Sequence, residues 1–152
     1  MKEKVARDIM KRDVITVKPE TSIEELGRLF IEKDISGAPV VDEQGNLVGI
    51  VTENDLISRE RPFHIPTIIR IFDAIIPLES DSKVEREIRK MAATTVEDIC
   101  TTDVVTINED TPITEVASIM TDKKIHLLPV VKEGKLTGIV GKKELIRAIA
   151  EL

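Results

Sequence analysis

The first half of this chain recurs in its second half. Displaced by about 90 positions, Asp8-Ile9 meets Asp98-Ile99, Asp13-Val14-Ile15-Thr16-Val17 meets Asp103-Val104-Val105-Thr106-Ile107, and Pro39-Val40-Val41 meets Pro129-Val130-Val131. After a one-residue gap near Gln44 and Gly45, Gly49-Ile50-Val51 and Leu56-Ile57 meet Gly138-Ile139-Val140 and Leu145-Ile146. Such a repeat is one supersecondary unit used twice, so the architecture must divide into two similar halves. The chain has 152 residues, and a unit of about 55 residues buries too little apolar surface to be stable alone. The two units are therefore expected to pack their sheets together into one body.

Each unit has the same internal order. Val14 to Val17 is a β-branched run stopped by Lys18-Pro19, which predicts a strand, and Thr21 or Ser22 then supplies an N-cap with Glu24 or Glu25 three residues on. Ile23, Leu26, Leu29 and Phe30 recur at helical spacing, as do Ile113, Val116, Ile119 and Met120, where Pro112 suits the first helical position. Gly37 to Val41 and Asn46 to Val51 predict two strands around an Asp42 to Gly45 turn, and Asn54 to Arg59 starts a second helix. The expected fold class is α/β (α+β), two β-α-β-β-α repeats related by pseudo-twofold symmetry. Residues 1–59 and 96–152 form the repeats and 60–95 a helical insert. Within the insert, the apolar stretch Pro62 to Pro77 predicts a helix packed on its own module or on a second copy, with docking of another protein as the sharper alternative. Lys83 to Met91, with Glu85 and Arg89 four apart, predicts a charged, solvated helix.

Composition removes several function classes. Aromatics are 2 %, three Phe with no Tyr or Trp, so a flat ligand must be held by aliphatic walls and backbone amides. A net charge of −6 argues against bulk nucleic-acid or anionic-membrane binding. One cysteine, Cys100, excludes an internal disulfide, and one thiol with two histidines falls short of a zinc site. The charged start Met1 to Asp8 lacks a signal-peptide pattern, and no apolar run approaches the roughly 20 residues of a bilayer span, so a cytoplasmic protein without a membrane segment is expected. Cys100 stands where the first copy has Met10, which predicts a buried apolar role for it.

The chemical interest lies where the copies differ. Gly49-Ile50-Val51-Thr52-Glu53-Asn54-Asp55 corresponds to Gly138-Ile139-Val140-Gly141-Lys142-Lys143-Glu144. A strand feeding directly into a helix N-terminus presents free N–H groups to a phosphate or sugar edge. Thr52 adds a hydroxyl there, and Asp55 two acceptor oxygens suited to a ribose diol. The same pair also reads as a capping box with Asp at N3, a purely structural device. Both readings stand at this level.

The run Asp13 to Val17, the stretch Ser36-Gly37-Ala38-Pro39-Val40-Val41 and the closing Gly49-Ile50-Val51-Thr52-x-x-Asp55-Leu56 resemble a cystathionine-β-synthase (CBS) domain. Val104 to Ile107, Ile125-His126-Leu127-Leu128-Pro129-Val130-Val131 and Gly138-Ile139-Val140-x-x-x-Glu144-Leu145 resemble a second one. The resemblance covers about two-thirds of the chain as a tandem pair, a Bateman module. It implies two clefts where the repeats meet. One would combine Thr52 and Asp55 with Thr106, Ile107, His126, Leu127, Leu128 and Pro129, Asp55 accepting from a ribose and His126 near a phosphate. The other would combine Gly141, Lys142, Lys143 and Glu144 with Thr16, Val17, Ser36, Gly37, Ala38 and Pro39. This second cleft departs from the family pattern, since Gly141 replaces the Thr and Glu144 the Asp.

The resemblance further implies a non-enzymatic regulatory module that senses an adenosine-containing ligand, AMP, ADP or ATP ahead of S-adenosylmethionine. It would pass occupancy on to a homodimer partner, through its helices and the 62–77 insert, and to an effector protein. A ligand-free interaction scaffold is the alternative. No metal or separate cofactor is expected, and no Walker loop, metal-spaced His cluster or nucleophile motif suggests catalysis.

Overall fold

The computed structural model describes residues 3–60 and 94–151, and the backbone of 68–71 and 74–77. Its elements in chain order are α1 (Ala6–Ile9), α2 (Ile23–Lys33), β1 (Gly37–Val41), β2 (Leu47–Thr52), α3 (Glu53–Arg59), β3 (Ile68–Ile71), β4 (Ala74–Pro77), a short 3-10 turn (Val96–Asp98), α4 (Ile113–Lys123), β5 (Leu127–Lys132), β6 (Lys135–Gly141) and α5 (Lys142–Ala150). None of the described helices is long and apolar enough to cross a membrane.

Helix α2 starts where Ser22 Oγ accepts a hydrogen bond from the Glu25 N–H at 3.1 Å, which satisfies one of the donors a helix start leaves open. It buries Ile23, Leu26 and Phe30. In the second repeat Pro112 is the N-cap and α4 begins one residue later, at Ile113. Each helix covers an antiparallel hairpin, β1 with β2 and β5 with β6, and both hairpins carry a bulge at the equivalent place, Val40/Val41 and Val130/Val131. The one-residue gap between the repeats lies in the hairpin turns. Glu133 and Gly134, at φ 53° and 81°, form the tight two-residue turn, a conformation that glycine adopts freely. The longer turn of the first repeat is held by the Asp42 carboxylate, which accepts from the Gln44 N–H at 3.0 Å and the Asn46 N–H at 2.9 Å.

The strands expected at 14–17 and 104–107 shrink to single residues. Val17 bridges Val40 in parallel, and Ile107 bridges Val130. The reason is where the chain has just been. Lys11 pairs with Ile139 of the second hairpin, exchanging hydrogen bonds of 2.8 and 3.0 Å, so only the five residues 12–16 are left to cross from that hairpin to Val17 on the first. The second repeat does the same in reverse: Thr101 pairs with Ile50, with two bonds of 2.9 Å, before Ile107 reaches its own hairpin.

The lead segments are thus exchanged. Val96 and Ile99 complete a core with Leu26, Phe30, Val40 and Val51 of the first repeat, while Ala6 and Met10 complete the core of Val116, Met120, Leu128, Val130 and Val140 in the second. Gly49 and Gly138 are required by this crossing. A Cβ on Gly49 would lie 3.0 Å from both Cys100 Sγ and Thr101 O, and one on Gly138 2.5 Å from Met10 Sδ and 3.1 Å from Lys11 O. The correspondence of Cys100 with Met10 follows, since each packs on the other repeat's glycine. Arg7 fastens the first lead to the second repeat through ion pairs with Asp110 and, at 3.6 Å, Glu109. The hairpins also meet directly, at the Asn46–Lys135 bridge and where the Leu47 N–H donates to Gly134 O at 3.3 Å. Two α/β repeats with their sheets joined form the body.

The insert departs from the helix expected over 62–77. Its described part is an antiparallel hairpin, β3 with β4, in the register Ile68–Pro77 to Ile71–Ala74. A continuous apolar run has no period to separate helix from strand, and the β-branched isoleucines favour the extended form. The helix expected over 83–91 lies outside the described residues, as do the contacts of the insert's side chains.

Candidate functional site

Strand β2 ends at Thr52 and α3 begins at the next residue, so the chain turns sharply at the boundary between the repeats. The Glu53 N–H donates to Ser36 O at 2.9 Å, which ties this corner to the start of β1. Across from it, Lys124 closes α4 in the left-handed conformation at φ 55° and the chain reverses, so that 124–127 face the corner. Between them lies a cleft of 670 Å³, a size ordinary for small-molecule sites. The first repeat contributes Ser36, Ile50, Thr52, Glu53, Asn54 and Ile57. The second contributes Lys124, Ile125, His126 and Leu127, together with Thr101, Asp103, Val104 and Val105 of the crossing segment. The lining mixes aliphatic side chains with polar and charged ones.

The Thr52–Asp55 pair makes the capping interaction. The Asp55 carboxylate accepts from the Thr52 N–H at 2.9 Å and from its hydroxyl at 3.3 Å. Asp55 is half-buried behind Thr52, and Thr52 itself lines the cleft. Cys100 is half-buried nearby; burial, then the negative charge of Asp55, pushes its thiol above the usual range, which keeps it protonated.

Of the first expected set, Thr52, His126 and Leu127 come together on the cleft wall. Ile107, Leu128 and Pro129 are packed in the second core, with Ile107 only 4 % exposed, and Thr106 is exposed but off this wall. The wall is built two residues earlier, by Val104 and Val105, because the pairing of Ile107 with Val130 turns Ile107 inward. Of the second set, Ser36 lines this same cleft, Val17, Ala38 and Pro39 are core, and Thr16 is exposed. Gly37 packs against the other repeat, where a Cβ would stand 3.0 Å from Leu127 Cδ2. Lys142 and Lys143 are exposed on the first turn of α5, with Glu144 half-buried below Gly141. Glu53, Asn54, Asp103 and Lys124 also line the cleft, although no motif marks them. The first two stand inside the motif at its unspecified positions, and the others become neighbours only through the crossing.

Both repeats match the CBS domain family, over residues 6–61 and 96–151. The chain is 32 % identical to the uncharacterized protein MJ1426 of Methanocaldococcus jannaschii, over 94 % of this chain and 89 % of that one. It is also 32 % identical to the chloroplastic CBS domain-containing protein CBSX1 of Arabidopsis thaliana, over 93 % of this chain but 61 % of that longer one. Among solved structures it resembles CBSX2 in complex with AMP, with a TM-score of 0.81 and 25 % identity over 98 % of both chains. It also resembles the CBS domain pair of MJ0100 in complex with 5′-methylthioadenosine and S-adenosyl-L-methionine, with a TM-score of 0.72 and 26 % identity over 99 % and 98 %. With the order of motifs, the doubled α/β architecture and the match of both repeats in agreement, the chain belongs to the CBS domain family.

Proposed function

We propose that the cleft between the repeats holds an adenosine-containing ligand and that the chain is a regulatory module rather than an enzyme. The observation that carries this reading is the composition of the cleft wall. Thr101 to Val105 belong to the segment that also closes the first repeat's core, so a ligand there touches the piece of chain joining both halves. A ligand with differential affinity for two packings of that segment shifts the balance between them, which is the physical content of regulation. The relatives crystallised with AMP, 5′-methylthioadenosine and S-adenosyl-L-methionine support the ligand class. Adenine would lie against Ile50, Val104, Val105 and Leu127, with Ser36 and Thr52, the latter held from behind by Asp55, toward the ribose and Lys124 and His126 toward a phosphate. Ile146 and Ile149 are 59 % and 67 % exposed on α5, apolar side chains that a second copy of the chain would cover.

Calorimetry with AMP, ADP, ATP and S-adenosylmethionine tests the proposal. At least one should bind, and at about 100 times its dissociation constant it should stabilise the fold by roughly 2.7 kcal/mol, visible as a raised melting temperature. Thr52→Val and His126→Ala should both weaken binding. No binding of any of the four rejects the assignment in favour of a ligand-free scaffold, the reading that the departures at Gly141 and Glu144 support; full affinity in both variants rejects this cleft as the place where the ligand binds.

A further inference from the structure

The charged groups on the cleft are unequal in sign. Glu53 and Asp103 stand on its wall with one ammonium, Lys124, and with His126, while Lys142 and Lys143 do not line it. Glu53 is the first residue of α3, placed by the bond from its N–H to Ser36 O at 2.9 Å, and Asp103 lies on the crossing segment, so the two carboxylates come from opposite repeats. Two carboxylates thus face one ammonium, and the fixed charge of the lining is net negative. All four charged or titratable side chains belong to exposed residues, so their field acts through solvent and fades with salt.

From this geometry we infer that Glu53 and Asp103 are specificity-determining residues, which weaken the binding of nucleoside polyphosphates and make the cleft selective for adenosine derivatives with at most one phosphate. Each added phosphate brings negative charge toward two carboxylates with one fixed cation to offset it. A monophosphate can be met by Lys124 and His126, and a 5′-substituent without phosphate meets no repulsion. The inference rests on the adenosine reading above and narrows it.

The test is titration calorimetry of the full chain with 5′-methylthioadenosine, AMP, ADP and ATP, without divalent cations, at low and high ionic strength. Affinity should fall stepwise from AMP to ATP, with ATP about tenfold or more weaker than 5′-methylthioadenosine at low salt and the gap closing as salt screens the carboxylates. The double variant Glu53→Gln/Asp103→Asn should raise the ratio of ATP to 5′-methylthioadenosine affinity about threefold to tenfold. ATP binding as tightly as AMP to the native chain, or a ratio that neither salt nor the double variant moves, overturns the charge argument while leaving an adenosine site in place. Failure of all four to bind overturns the adenosine reading itself, and this inference with it.

Discussion

Val96 opens the second repeat in sequence but is fully buried in the core of the first, beside Leu26, Val40 and Val51. Val96→Ala removes roughly two buried methylene equivalents, about 1.6 kcal/mol of transfer free energy, and the cavity left behind brings the cost to about 2 kcal/mol. For a protein of this size that is a fall of roughly 4–8 °C in melting temperature, measurable by thermal or urea denaturation followed by circular dichroism. The cost alone would not locate the side chain, so the decisive measurement is a pair of double-mutant cycles. Val51 and Val140 occupy equivalent places in the two repeats, and both are fully buried. Val96→Ala should couple to Val51→Ala by about 0.5 kcal/mol or more and add to Val140→Ala within about 0.5 kcal/mol. Coupling to Val140 with additivity to Val51 would refute the exchange of lead segments and, with it, the argument that the cleft reports on both halves.

Gly49→Ala should destabilise by about 1–3 kcal/mol, because its Cβ meets the backbone oxygen of Thr101 as well as Cys100. Gly27→Ala, with Leu56 at an ordinary 3.7 Å and a position inside α2, should instead stabilise by about 0.5–1 kcal/mol; the two melting curves measured side by side check both signs. Backbone N–H donation from Asn46, with further bonds from the Asn46 side chain and the Gln44 N–H, holds the Asp42 carboxyl below the usual range. Its contribution is therefore complete above the unfolded carboxylate pKa of about 3.9 and is lost as pH falls through the lower folded value. The stability gap between the native chain and Asp42→Ala should accordingly be constant near neutral pH and narrow only in strong acid, as followed by denaturation from pH 7 to pH 2.

Much of the fold was legible in the residues because the interactions that set it are local. The Ser22 cap, the helical spacing of Ile23, Leu26 and Phe30, and the β-branched hairpins each depend on neighbours a few residues away, and recurrence at a fixed offset doubles the signal. The stretch 62–77, expected as a helix and found to contain a hairpin, differs for the converse reason. Its apolar run has no periodicity, and the choice between helix and hairpin depends on propensity and pairing that pattern alone does not rank.

The site divides along the same line. Thr52 and His126 belong to motifs and could be named from sequence, and the capping role of the Thr52–Asp55 pair follows from three-residue spacing. That Ile107 turns into the core and Val104 and Val105 onto the cleft was decided by which hairpin residue 107 pairs with, a contact between segments more than 20 residues apart. Sequence by itself determined that there are two similar halves and where each bends. Only the tertiary structure decided that each half borrows its lid from the other, because burial of Val96, Ile99, Ala6 and Met10 is satisfied equally well by any apolar surface within reach, and the crossing puts the other repeat within reach first.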